Sequence, residues 1–278
     1  MKAMQKIKSL KCDVAIFDLE DAVAVSNKEF ALKNVSSFLL EDENRGLNSR
    51  AAVRINGLDT KWGKDDILHI AEAVHQGMKL EAILVPKVDS LETVYEIENI
   101  LGTVGQEKLP LWCMIETAAG VHNSHEIASR ATVQALVFGS NDLSKDIRAK
   151  QTTSREPLLY AMSRVILSAR MHGKVVIDGV YNNYKDIDGF SSQAKQGREI
   201  GFDGKSLIHP TQIGPCNVMY SPSEAELEFA RAVIAHWSAA ELNGNGSAGV
   251  VTVNGQMIER LHVEEARELV AMFGEHDQ

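Results

Sequence analysis

Short apolar runs of strand length alternate with segments of helical periodicity along most of this chain, and that alternation constrains its fold more than any other feature. The runs cover residues 14–18, 51–56, 82–86, 111–116, 135–139, 175–178 and 205–209. Between them lie stretches such as 64–74, where Ile67, Ile70, Ala71 and Val74 share one helical face. Continuously apolar strands are buried on both faces, so the repeated alternation specifies a parallel sheet covered by helices. A doubly wound sheet is the alternative to a barrel. No Gly-x-Gly-x-x-Gly turn follows an early strand, which removes support for the dinucleotide-binding version. A (β/α)8 barrel needs eight strands, and seven are visible, the first preceded only by a helix expected around Lys6 to Lys11. The expected fold is an α/β (β/α)8 TIM barrel lacking its first strand, or with one strand unrecognised.

The pattern changes after the last of these runs. Ser223-Glu-Ala-Glu226 reads as a capping box. Leu227, Ala230, Ile234 and Trp237 then form the apolar face of a helix. Residues 243–249 are a Gly- and Asn-rich linker. Residues 250–258 resemble a hairpin around Asn254-Gly255, and 262–273 a final amphipathic helix. The expected division is a catalytic barrel at 1–242 and a linker with a C-terminal lid or subunit contact at 243–278.

Composition excludes some classes. A formal net charge of −9 argues against a general nucleic-acid surface but leaves room for a local basic pocket. Cys12, Cys113 and Cys216 are odd in number, far apart and without metal-ligand spacing, so a reduced, cytoplasmic protein is expected. No apolar run is long enough to span a membrane, and no signal-peptide core follows Met1.

In barrel enzymes the catalytic groups lie at the C-terminal ends of the strands. Here those ends carry Asp18, Glu20 and Asp21, then Arg54 and Asn56, Lys87, Glu116, Asp142, Asp178 and His209. Glu116 and Asp142 follow adjacent expected strands. Each alone is an ordinary loop carboxylate. Together they suit a hard cation such as Mg²⁺, which is held by one or two carboxylates with water and substrate oxygens completing the shell. Such a pair points to metal-assisted chemistry on an oxygen-rich anion. Arg54 suits a substrate carboxylate through paired N–H bonds, and equally suits a structural ion pair with Glu20 or Asp21. At least one of Asp18, Glu20 and Asp21 is expected to pair with Arg54 or Lys87, or to hydrogen-bond metal-bound water. Lys87 orients carboxylates or makes a plain salt bridge; a Schiff base would require a desolvated amine. Asp178 is expected to cap a turn or support a ligand, and His209 to be a hydrogen-bonded structural residue. Gly201-Phe-Asp-Gly-Lys205 reads as a turn entering a strand before it reads as a phosphate cradle.

These residues resemble the β-subunit of citrate lyase and its relatives, the malyl-CoA and citramalyl-CoA lyases of the HpcH/HpaI aldolase/citrate lyase superfamily. The matching segments are Asp13-Val-Ala-Ile-Phe-Asp-Leu-Glu-Asp-Ala-Val23, Val53-Arg-Ile-Asn-Gly57, Val85-Pro-Lys-Val88, Ile115-Glu-Thr-Ala118 and Phe138-Gly-Ser-Asn-Asp-Leu143. Ile177-Asp-Gly-Val180, Gly201-Phe-Asp-Gly-Lys-Ser-Leu-Ile-His-Pro210 and Tyr220-Ser-Pro-Ser223 complete the set, in family order across nearly the whole chain. The resemblance implies a barrel, Mg²⁺ held by Glu116 and Asp142, and the carboxylate of an oxo-acid half held by Arg54. Backbone N–H groups across Gly139, Ser140, Asn141 and Asp142 would help hold that carboxylate. It also implies a homotrimer or a multiple of trimers. Members begin with a strand carrying Arg-Ser and ending in a Pro-Gly turn, upstream of what is here Met1. In the lid, the lyases acting on free CoA thioesters carry Met-Ile-Asp where this chain has Met257-Ile258-Glu259.

The expected activity is Mg²⁺-dependent carbon–carbon cleavage of a 3-hydroxy-3-carboxyacyl-CoA thioester. The expected products are a small oxo acid and acetyl-CoA. Glu259 of a neighbouring subunit is the expected proton-transfer residue, with Glu20 or Asp21 in its place otherwise. The alternatives are a malyl-CoA thioesterase, a metal-dependent aldolase of free oxo acids, and a carrier-dependent or non-catalytic subunit of a larger complex.

Overall fold

The computed structural model describes residues 4, 6–41, 50–242 and 249–274. Two compact units divide the chain, at 1–217 and 218–278.

Among the described residues, the first unit is built on one parallel sheet of seven strands in the order β1 to β7. These are β1 (Val14–Asp18), β2 (Arg50–Arg54), β3 (Ala82–Val85), β4 (Leu111–Ile115), β5 (Val133–Phe138), β6 (Val175–Asp178) and β7 (Gly204–Lys205). Each strand pairs with the next in sequence, so the winding never reverses. A doubly wound sheet must reverse at its switch point, and this topology excludes it. Helices follow the strands: α1 (Lys28–Leu40), α2 (Gly63–His75), α3 (Leu91–Gly102), α4 (Ala118–Ala128), α5 (Ser140–Asp146), α6 (Leu159–Met171) and α7 (Ile187–Ile200). A short helix, α8 (Ile213–Tyr220), comes after β7. Strand β3 is buried throughout and β5 at every position but Gln134, as strands covered by helices on one side and packed on the other must be.

Two expected elements are shorter than the sequence pattern implies. Of the helix expected at Lys6 to Lys11, Lys6 is helical and Ile7–Ser9 form a single turn of 3₁₀ helix, which stops because Leu10 is already extended. The run 205–209 keeps only Lys205 in the sheet. Ser206 still donates to the Asp178 carbonyl, but His209 caps a 3₁₀ turn beginning at Pro210, whose nitrogen cannot donate to a ladder.

The second unit contains α9 (Glu224–Leu242), a hairpin of β8 (Val250–Val253) and β9 (Gln256–Glu259), and α10 (Arg260–Phe273). The capping box forms: Ser223 Oγ accepts from Glu226 N at 3.2 Å and Glu226 Oε2 accepts from Ser223 N at 2.7 Å. Asn254 and Gly255 take φ of 50° and 78°, the left-handed pair that a two-residue hairpin turn requires. Ala230, Val233 and Trp237 of α9 bury against Val253, Ile258, Val263 and Ala266. This shared apolar cluster places α9 with the hairpin, so the second unit starts earlier than the expected boundary at residue 242. The expected linker falls outside the described residues except for Gly249. Among the described residues no helix is long and apolar enough to cross a membrane.

Candidate active site

Parallel register decides which charges meet. The last residues of β1 and β2, Asp18 and Arg54, lie side by side. The Arg54 guanidinium grips Asp18 with two parallel bonds, Nε to Oδ1 at 2.7 Å and Nη2 to Oδ2 at 2.6 Å. Such a bidentate fork is the strongest geometry available to this pair. It holds the Asp18 carboxyl below its ordinary pKa despite burial, and raises Arg54 further against its own burial. The remaining nitrogen, Nη1, lies 3.0 Å from Glu20 Oε2 and 4.0 Å from Asp21 Oδ2. One of the two two-pronged edges of the guanidinium, Nε–Nη2, is therefore filled from within the chain. Only the Nη1 edge faces the other acids.

Glu20 is buried and bridges two cations, because its other oxygen sits 3.0 Å from Lys87 Nζ. Burial raises its pKa in spite of them. Its backbone is fixed from below. The buried Lys28 amine donates to the Leu19 and Glu20 carbonyls at 2.8 and 2.6 Å. Asp66, also buried, holds the end of β2 by accepting from the backbone and side-chain nitrogens of Asn56. Sequence inspection missed Lys28 and Asp66, since both sit in helices and read as surface charges.

Lys87 has a left-handed backbone, φ 49°. That conformation lets its N–H donate to Glu116 Oε1 at 2.9 Å while Val88 resumes bonding to the Met114 carbonyl. Its amine is paired and its side chain 45% exposed, which is the opposite of the desolvation a Schiff-base lysine needs.

Glu116 and Asp142 follow β4 and β5. Ile115 pairs with Phe138, so the next residues, Glu116 and Gly139, also lie abreast. A Cβ at Gly139 would stand 2.4 Å from Glu116 Oε2, so only glycine leaves room for this carboxylate. Glu116 is 2% exposed. Burial, and then the charges of Asp142 and Glu20, push its pKa up to about 7, against the Lys87 N–H bond and Arg54. Asp142 is in the first turn of α5, with Gly139 at its N-cap. Ser140 and Asn141 begin that helix, where N–H groups lack intrahelical partners. Asn141 exchanges hydrogen bonds with Asn182 on the loop after β6.

The remaining strand ends form a second, closed cluster. Asp178 is fully buried and accepts from Arg155 Nη1 at 2.7 and 2.9 Å and from Lys205 Nζ at 2.8 Å. The last contact again follows register, as Asp178 pairs with Lys205 across β6 and β7. Burial lowers the Lys205 pKa. Asp178 thus supports rather than reacts, and Gly179 beside it packs on Ser140 so closely that a Cβ would lie 2.8 Å from Oγ. His209 Nδ1 accepts from Thr211 N, a structural cap. Residues 201–205 are a turn: Gly201 is left-handed at the end of α7 and Asp203 N bonds to the Val176 carbonyl.

Of the expected site residues, Arg54, Glu20 and Asp21 form one linked group, joined through Lys87 to Glu116 and its neighbour across β5, Gly139. Glu259 belongs to the second unit, where it ends β9 and serves as the N-cap of α10.

A family model described as HpcH/HpaI aldolase/citrate lyase matches residues 1–210. The chain belongs to this family. It is 40% identical over 270 residues to the (3S)-malyl-CoA thioesterase of Cereibacter sphaeroides, covering 97% of this chain and 90% of that one. It is 33% identical over 267 residues to citrate lyase subunit beta of Leuconostoc mesenteroides subsp. cremoris, covering 94% and 85%. Among solved structures, the protein CitE from Mycobacterium tuberculosis, in complex with magnesium, acetoacetate and coenzyme A, superposes with a TM-score of 0.75 at 26% identity, covering 95% of this chain and 91% of that one.

Proposed function

We propose that this member of the family is a Mg²⁺-dependent carbon–carbon lyase. Its substrate is a 3-hydroxy-3-carboxyacyl-CoA thioester, citramalyl-CoA or malyl-CoA before a citryl thioester. The products are an oxo acid and acetyl-CoA. The observation that carries the reading is the Glu116–Asp142 pair at adjacent strand ends, with Gly139 keeping space open beside Glu116.

The donor set fits Mg²⁺. It consists of carboxylate oxygens only, and among the described residues no group of three or more His, Cys, Asp or Glu side chains could form a cage by itself. Zn²⁺ takes such cages, whereas Mg²⁺ keeps several waters and substrate oxygens. When bound, the ion supplies Lewis acidity at the substrate's hydroxyl and carboxylate oxygens. The Nη1 edge of Arg54 and the N–H groups from Gly139 to Asp142 hold the carboxylate. Loss of the hydroxyl proton lets the oxygen's electrons form the new carbonyl as the C–C bond breaks. The bond pair passes to the thioester as an enolate, which is then protonated. Glu259 of a neighbouring subunit in a trimer is the proton donor, with Glu20 or Asp21 in that role otherwise. CoA thioesters are intracellular, so the reading places the protein in the cytoplasm.

A second reading, hydrolysis of malyl-CoA, is favoured by the 40% identity to a malyl-CoA thioesterase. Mass spectrometry of malyl-, citramalyl- and citryl-CoA incubated with the protein, with Mg²⁺ or EDTA, separates the two. Mg²⁺-dependent acetyl-CoA supports the lyase; free CoA supports hydrolysis. No turnover refutes both and favours a carrier-dependent subunit. Glu259→Gln is expected to depress turnover while sparing Mg²⁺ binding; unchanged turnover removes Glu259 from the mechanism.

A further inference from the structure

We infer that the Lys87 ammonium is a second cationic contact for the oxo-acid carboxylate of the substrate. The inference rests on the lyase reading for the identity of that anion, and on four observations for the residue.

First, the Nε–Nη2 edge of Arg54 is taken by Asp18 at 2.7 and 2.6 Å, and on the remaining edge Nη1 already lies 3.0 Å from Glu20, so both edges of this cation are shared with acids of the chain. An anion that needs more than one positive partner must find the second elsewhere. Second, Lys87 lies on the other side of Glu20 from Arg54, so that the two cations flank one acid at 3.0 Å each. Third, the Lys87 side chain is 45% exposed where that of Arg54 is 18% exposed, so its ammonium can change partners at small desolvation cost.

The fourth observation is the backbone. Lys87 is one of four non-glycine residues with positive φ in the described chain, and it alone stands at a strand end beside a candidate metal ligand. Non-glycine residues held in this region cluster at sites where the geometry is used. Here the left-handed turn does two things at once. It directs the backbone N–H to Glu116 and sends the side chain to Glu20. An ordinary salt bridge between surface residues does not require such a conformation.

The ammonium rests on Glu20 while the backbone N–H of the same residue bonds Glu116, the acid beside which the substrate anion would bind. Binding exchanges one carboxylate partner for another, or shares the three donors of the amine between both.

The test is isothermal titration of glyoxylate, pyruvate and oxaloacetate into Mg²⁺-saturated protein, with Mg²⁺ titrated separately into the metal-free protein. Lys87→Met removes the charge, Lys87→Arg keeps it, and Lys87→Gly removes it while accepting the left-handed backbone without strain. Loss of one charge-assisted hydrogen bond is expected to weaken oxo-acid binding about tenfold or more in the Met and Gly variants, and much less in the Arg variant. Mg²⁺ affinity is expected to hold or tighten, since a neighbouring positive charge has been removed. Two results overturn the inference: undiminished oxo-acid affinity in both charge-removing variants, or parallel loss of acid and Mg²⁺ affinity, which would make Lys87 a prop for Glu116. Failure of the wild-type protein to bind any of the acids defeats the lyase reading itself, and this inference with it.

Discussion

Glu116 should make Mg²⁺ binding depend on pH near neutrality, although carboxylates ordinarily titrate far below. Its pKa is pushed from 4.5 to about 7 by burial first and by Asp142 second. Mg²⁺ takes the ionised form, so binding below that pKa must expel a proton. The apparent affinity should fall about tenfold for each pH unit below 7, with about one proton released per ion at pH 6 and almost none above pH 8. Titration calorimetry in two buffers of different ionisation heat counts that proton directly. The same shift affects folding. A raised carboxyl pKa contributes stability that is fully present below the unfolded value near 4.5 and is lost as pH rises through 7. The shift corresponds to about 3 kcal/mol, so the metal-free protein should be less stable at pH 8 than at pH 5 by up to about that amount from this group. Glu116→Gln keeps the acceptor for Lys87 N and cannot ionise. It should abolish Mg²⁺ binding and, without metal, be more stable than wild type at pH 8. Mg²⁺ affinity that stays flat between about pH 5.5 and 8.5 would refute the reasoning.

Two further substitutions probe the frame around that carboxylate. Gly139→Ala puts a methyl 2.3 Å from Glu116 Cβ and 2.4 Å from Oε2, so Glu116 must move, and calorimetry should show Mg²⁺ affinity reduced about tenfold or more. Asp178→Ala strands Arg155 and Lys205 in a dry interior, and denaturant titration should show a loss of about 3–5 kcal/mol; a loss below about 1 kcal/mol would mean that water reaches the pair.

Local signals made much of this molecule legible in sequence. The bounds of β1 and β6 coincide with their apolar runs, and Asn254-Gly255 announces its own hairpin because both residues tolerate positive φ. Strand ends bearing charge were also readable, since a barrel gathers them on one face. Partnership was legible only as a set, with one of Asp18, Glu20 and Asp21 expected on Arg54 or Lys87, and the individual pairs were not. Nothing near Arg54 in sequence says that Asp18, 36 positions earlier, takes its fork, because register across two strands decides it. Arg155 reads as a loop residue and becomes the partner of Asp178 only through tertiary packing. Helix α9 looked like part of the barrel because its apolar face does not say which core it joins; Val253 and Ile258 settle that.

The distribution of charge explains why the candidate metal ligands stay available. Asp18 and Glu20 are matched by Arg54 and Lys87, whereas Glu116 and Asp142 form no salt bridge among the described residues. Lys87 is near enough to feel both of those acids, yet its amine rests on Glu20. In the proposed metal site, Glu20 would thereby keep the Lys87 ammonium from taking the place of the divalent ion. Glu20→Gln weakens that hold, and the freed ammonium should turn toward Glu116 and compete with Mg²⁺. Affinity for the ion should fall in Glu20→Gln even though no ligand has changed. Loss of the Glu20 charge would weaken Mg²⁺ binding to some extent through field effects alone, so the double variant with Lys87→Met decides the matter. If competition is the cause, removing Lys87 restores most of the lost affinity, and the two substitutions are strongly non-additive. If the field of Glu20 is the cause, the Lys87→Met effect is the same in either background, and the ammonium has no part in guarding the site.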